Sequence, residues 1–144
     1  MDQDNTQAST SVDEIELLTW EELLAEHRLQ LELFGGQDGF IDEGVVRSAW
    51  ARAQFMLQYN ADADLADLAA EYMYGLSTTQ GFMDGNKRIA LAAATIFVRK
   101  NGLRFVFGPK VMYLIAISVA RGEVGRDELA EILREHMVEI EDTP

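Results

Sequence analysis

Gln80-Gly81-Phe82-Met83-Asp84-Gly85-Asn86-Lys87-Arg88 runs directly into Ile89-Ala90-Leu91-Ala92-Ala93-Ala94-Thr95-Ile96-Phe97-Val98, and these two stretches together decide the fold. A helix that is apolar nearly all round has to be buried, so the residues from this motif to Asn101-Gly102 predict a central helix on which the rest of the chain packs. Its end is conventional. Arg99 and Lys100 complement the negative end of the helix dipole, and Gly102 supplies a left-handed cap. Its start is not, because Lys87 and Arg88 add two positive charges to a first turn whose unpaired N–H groups and dipole are already electropositive. An anion has to compensate them, and helix N-termini bind phosphate readily. Asp84 stands beside this site as the hard oxygen ligand that Mg²⁺ takes together with water and phosphate oxygens. Taken alone, Asp84-Gly85-Asn86 reads first as a turn and helix cap; the two cations and the buried helix behind it argue for more.

Working outward, the chain reads as helices almost everywhere. Thr19 and Glu22 form a capping box for a first helix with Trp20, Leu23, Leu24, His27, Leu31 and Phe34 on one face, ended by Gly35-Gly36. Asp42 caps a second helix that turns Val45, Val46, Ala49, Trp50, Ala53 and Met56 inward. Leu65, Leu68, Ala69, Tyr72, Met73 and Leu76 follow the helical repeat of a third. Beyond the central helix, Leu103 to Phe107 reads as an extended link, and Pro109 starts a fifth helix that Gly122 ends. Leu129, Ile132, Leu133, Met137 and Ile140 mark an amphipathic sixth. The expectation is an all-α, single-domain, six-helix bundle over residues 15–140, with a disordered acidic tail at 1–14 and a short tail at 141–144.

With 144 residues and 48% hydrophobic content, the chain is of ordinary size for one domain and needs no staple. It has no cysteines, which excludes disulfides and thiolate zinc sites, and its two histidines are far apart in sequence. No apolar run reaches the ~18 to 20 residues of a membrane span. The expectation is a cytoplasmic protein without a membrane partner. A net charge of −13 argues against nucleic acid, whose phosphates reward clustered Lys and Arg. The charge reads as solubility or salt adaptation, or as a match to a basic partner segment.

Phe82, Asp84, Gly85, Asn86, Lys87 and Arg88 also fit the pattern His-x-Phe-x-Asp-Gly-Asn-Lys-Arg, and here the chain resembles the Fic/Doc (Fido) superfamily, its death-on-curing branch in particular. The resemblance extends through Ser48-Ala49-Trp50-Ala51-Arg52-Ala53-Gln54, Leu65 to Gly75 and Ala90 to Gly102, and covers about residues 16 to 138. Two positions depart. Gln80 stands where the family carries its catalytic His, and Ile89 where Thr is usual.

The resemblance implies nucleotide-dependent modification of a protein hydroxyl, with ATP and Mg²⁺. Fic-type AMP transferases carry a second Arg three residues after the first, where this chain has Leu91; Doc-type members lack it and transfer phosphate to elongation factor Tu. The phosphotransferase toxin is therefore the favoured reading and AMP transfer the alternative. Backbone N–H groups of Gly85 to Lys87 and the Asn86 amide would hold phosphate oxygens, Lys87 and Arg88 would neutralise charge in transfer, and Asp84 would position Mg²⁺. Arg52 either faces the phosphates or is a surface cation, and His27 is either a core or edge histidine or reaches the site. Gln has no titratable nitrogen, so the chain is expected to be catalytically impaired, or to be a non-catalytic derivative that binds nucleotide or a partner. No Ser/Thr-x-x-x-Glu-Gly/Asn inhibitory motif occurs. Regulation is expected from an antitoxin of the Phd type, folding on binding near the motif.

Overall fold

The computed structural model describes residues 14–141, so the tails expected at 1–14 and 141–144 lie outside the described residues except for Glu14 and Glu141. Six helices and a two-stranded ribbon follow in the order α1 Trp20–Phe34, α2 Glu43–Tyr59, α3 Leu65–Thr78, α4 Asn86–Lys100, β1 Leu103–Phe105, α5 Pro109–Ala120, α6 Arg126–Glu135 and β2 Met137–Glu139. The expected all-α bundle is present.

Local chemistry sets the helix starts. Thr19 Oγ1 accepts from the Glu22 N–H at 3.0 Å while the Thr19 N–H donates to Glu22 Oε1 at 2.8 Å, closing the capping box of α1. Asp42 Oδ1 accepts from the Val45 N–H at the start of α2. A further box, Asp64 with Asp67, opens α3. Arg134 from α6 reaches that box, bonding Asp64 at 2.8 Å and Asp67 at 2.9 Å.

The buried centre is a pair of helices, α3 with α4, where the sequence pointed to α4 alone. Ile89 to Ala94, Phe97 and Val98 are buried on α4. On α3, everything from Ala66 to Ser77 is buried except Asp67 and Tyr74. Small residues permit this: a Cβ on Gly75 would sit 3.3 Å from the Ala49 Cβ, so α2 and α3 touch nearly backbone to backbone. Tyr72 fills the space toward the N-terminal segment, its hydroxyl accepting from the Leu18 N–H at 3.0 Å. Burial pushes this phenol up to about 12.

Glu71, 3% exposed, is the charge in this core. Left alone it would cost several kcal/mol, on the order of the penalty for an unpaired buried ion. Two guanidinium groups answer it. Arg52 from α2 bonds Oε1 at 3.0 Å, and Arg126 at the start of α6 lies 3.3 Å from Oε2 as an ion pair without hydrogen-bond alignment. One carboxylate thus ties three helices together.

The sixth helix is shorter than its apolar pattern suggests. It ends at Glu135, and Met137 and Ile140, expected on its apolar face, lie in or beside β2. β2 pairs antiparallel with β1 in the register Leu103↔Glu139, Arg104↔Val138 and Phe105↔Met137. The reason is backbone satisfaction: the extended link after Gly102 carries N–H and C=O groups that need partners. The ribbon supplies them, extended by Val106 N–H to His136 O at 2.8 Å and Ile140 N–H to Gly102 O at 2.9 Å.

Candidate active site

α4 begins at Gly85, whose φ of +80° is the left-handed conformation that glycine adopts without steric cost. No side chain caps the helix there, and no acidic residue occupies its first turn. The unpaired N–H groups and the dipole are therefore left open toward a cleft of 430 Å³.

The loop before it is held from several directions. Asn86 closes it into a ring, its Oδ1 accepting from the Phe82 N–H at 3.1 Å and its Nδ2 donating to the Phe82 carbonyl at 3.0 Å. The Asn86 amide was expected on phosphate oxygens; both its Oδ1 and its Nδ2 are engaged by the loop instead. Residues 36–42 latch onto the same loop. Met83 N–H donates to Gly39 O at 2.9 Å, and the N–H groups of Ile41 and Asp42 share Gly81 O at 2.8 and 3.0 Å. Gly81 is obligatory at this latch, since a Cβ there would lie 2.3 Å from Val46 Cγ2.

Asp84 is aimed as well as placed. Its Oδ2 accepts from the Gln37 N–H at 2.7 Å, which leaves Oδ1 for a cation. Gly36 makes room for this approach, because a Cβ on it would come within 2.9 Å of the Asp84 Cβ. Beneath the loop, Phe82 is a buried anchor, stacked on His27 at 3.7 Å and on Phe40 at 5.2 Å between ring centroids. His27 Nε2 lies 2.8 Å from the Asp84 carbonyl oxygen. At 2% exposure, His27 supports the motif from inside and does not enter the cleft.

Gln80, Asp84, Gly85, Asn86, Lys87 and Arg88 all line the cleft. Lys87 pairs with no carboxylate among the described residues. The guanidinium carbon of Arg88 lies over the Phe34 ring at 3.8 Å and over the Tyr113 ring at 4.0 Å from their centroids. Ring contacts of this kind satisfy none of the N–H donors of a guanidinium, which stay available to a planar or tetrahedral oxyanion. Arg52 does not join the cluster: with its Nε on Glu71, it lines a separate hollow with Ser48, Phe55 and Thr79. Phe34, Gly36, Gln37 and Tyr113 were missed as site residues. Gly35-Gly36 was legible as a helix stop, but nothing in the local pattern ties it to Asp84.

A helical bundle whose buried helix opens uncapped into a cationic cleft, with one carboxylate and a latched loop beside it, has the architecture of a Fido domain. The chain belongs to the Fic/DOC family, whose sequence model matches residues 17–98. It is 32% identical over 114 residues to the protein kinase doc of Escherichia phage P1, covering 79% of this chain and 90% of that protein. It is also 40% identical over 73 residues to the toxin Doc of Mycolicibacterium smegmatis, covering 49% of this chain and 55% of that one. The chain is thus a Doc-like Fido protein.

Proposed function

We propose that this protein is a Doc-like toxin of a toxin-antitoxin pair, built to transfer a phosphate from ATP to a hydroxyl of a translation factor such as elongation factor Tu. The observation that carries the reading is the open start of α4: uncapped N–H groups, Lys87 without a carboxylate partner among the described residues, and Arg88 line one cleft. The likeness to a kinase of the same family supports the phosphoryl chemistry.

The residues present fit the groups that the family implies. N–H groups of Gly85 to Lys87, with Lys87 and Arg88, would bind and orient phosphate oxygens and neutralise the charge that grows on them during transfer. Mg²⁺ needs only one or two carboxylates beside phosphate and water, and Asp84, with Oδ2 fixed by Gln37, supplies one. When bound, the ion supplies charge neutralisation of the phosphates. Gln80, exposed on the cleft wall, can orient the target hydroxyl but cannot take its proton. The chain as written is therefore a binder of nucleotide with impaired turnover. AMP transfer is disfavoured by Leu91, which stands at the family's second-Arg position and is 7% exposed, offering distal phosphates nothing.

The antitoxin reading gains support from an apolar cavity of 460 Å³ that shares Phe34 and Arg88 with the cleft and adds Leu33, Arg99, Arg104 and Val106. Locally it is basic, although the chain carries −13 overall. A partner segment seated there would be apolar and acidic, the opposite of the basic segment that net charge alone suggests.

Thermal denaturation with and without Mg·ATP tests the nucleotide reading. ATP at ~100 times its dissociation constant should stabilise a competent site by ~2.7 kcal/mol. An unchanged melting temperature at millimolar Mg·ATP would leave an interaction protein with a vestigial cleft.

A further inference from the structure

We propose that His27 is a positioning residue for the motif: from inside α1 it holds the Asp84 carbonyl and thereby sets the direction of the Asp84 carboxylate and the start of α4. The inference rests on the phosphate-site reading above for its consequence, but not for its geometry.

A carbonyl oxygen can only accept, so the 2.8 Å contact from His27 Nε2 fixes that nitrogen as the one bearing hydrogen. The same ring lies flat on Phe82, 3.7 Å between centroids and 14° between planes. A Cβ on Gly85 would sit 3.4 Å from Nε2, so the imidazole also floors the left-handed turn that opens α4. One side chain therefore meets residues 82, 84 and 85 of the motif across 57 positions of sequence. Peptide planes couple neighbouring groups: pinning the C=O of Asp84 fixes the N–H of Gly85 in the same rigid unit. The carboxylate is then held from both sides, by His27 through its own carbonyl and by the Gln37 N–H at Oδ2.

Filling space requires no donor, and that separates positioning from packing. His27→Phe keeps a ring on Phe82 and removes the N–H; His27→Gln loses the ring and can place an amide N–H near the Nε2 position. Amide hydrogen exchange of residues 83–87 without nucleotide reads the loop itself, and Mg·ATP affinity reads the consequence. In the Phe variant, exchange should speed up and affinity weaken by at least about fivefold each, the scale of one hydrogen bond. The Gln variant should recover most of both. Wild-type values in the Phe variant, or equal loss in the Gln variant, would reduce His27 to packing. A wild-type measurement stands apart from either variant folding: the His27 ring should show a slowly exchanging Nε2–H by ¹⁵N NMR, and its absence overturns the proposal. Failure of wild type to bind Mg·ATP would sink the phosphate reading while leaving the exchange result to judge His27.

Discussion

The two ends of α4 are built on opposite rules. At the C-terminal end the chain answers its own polar groups. Lys100 Nζ bonds Leu17 O at 3.0 Å and Glu22 Oε1 at 2.8 Å, and the Asn101 amide exchanges bonds with both the N–H and the carbonyl of Glu16. Gly102 turns away at φ +85°. At the N-terminal end the backbone donors lack a side-chain cap, and cations stand where the dipole disfavours them. Rings and backbone latches hold the loop in shape, yet nothing in it neutralises Lys87. One end of the helix is answered within the folded chain; the other leaves its backbone donors uncapped and its cations without an acidic neighbour in the first turn.

The sharpest way to break this contrast is at position 80. A general base contributes typically ~10² to 10⁴-fold, so Gln80→His should raise labelled phosphate transfer to a purified translation factor by that order. Equal rates in the two forms would show that no base is needed there. His27 cannot then be the substitute, because its Nε2 is committed to the Asp84 carbonyl under Phe82.

Next in size is the loss of an anion ligand. Arg88→Ala should weaken Mg·ATP binding, measured by calorimetry, by ~1.5 to 3 kcal/mol, the worth of a charge-assisted hydrogen bond. Its effect on apo stability is expected to be a modest loss, since two cation–π contacts of ~0.5 to 1 kcal/mol each are removed while a dipole conflict of ~0.3 to 1 kcal/mol is relieved.

The same substitution at the two ends of α4 should give opposite signs. Lys100→Ala removes two bonds from a partly buried ammonium and should cost about 1 kcal/mol in urea unfolding. Lys87→Ala should stabilise the apo protein by ~0.3 to 1 kcal/mol. If both destabilise, the N-terminal end is not held in conflict and the case for a missing anion weakens.

Acid provides the mildest test. The bond from Lys100, with the backbone bond at Thr19, holds the Glu22 carboxyl below its ordinary value. A group depressed in the folded state contributes stability above its unfolded pKa and loses it as pH falls through the folded one. The Lys100–Glu22 contribution should therefore fade on acidification below the usual carboxylate range. A Glu22→Gln variant should show a correspondingly flatter acid limb of stability against pH.

The residues proposed to bind an anion were legible because they are local. Asp84, Gly85, Lys87 and Arg88 lie within one turn of chain, and a cationic start to an apolar helix is visible without knowing what surrounds it. The caps at Thr19 and Asp42 and the burial of α4 followed from equally short patterns. The supports were not legible, because they come from 27, 34, 36, 37 and 113, and side-chain periodicity carries no information on which distant residues meet. Arg52 shows the same limit from the other side: its neighbourhood resembled the family, but its partner is Glu71, buried on what periodicity would mark as a polar position. Met137 belonged equally well to a helical stripe or to a strand, and the unpaired backbone of β1 decided for the strand.

The ties between α6 and α3 also set a timetable. Arg134 meets Asp64 across 70 positions, and Arg126 is one of two counter-charges for Glu71. Contacts this far apart along the chain close slowly, and domains emerge from the ribosome N-terminal part first. Until residues 126–139 are made, α3 has one face bare, Glu71 has Arg52 alone, and β1 has no partner. Pulse-labelled hydrogen exchange should find α3 and α6 amides gaining protection together. A chain still being translated would thus carry the motif at the start of α4 while one face of α3 and the edge of β1 stay uncovered, so that the packing of the domain is complete only once residues 126–139 have been made.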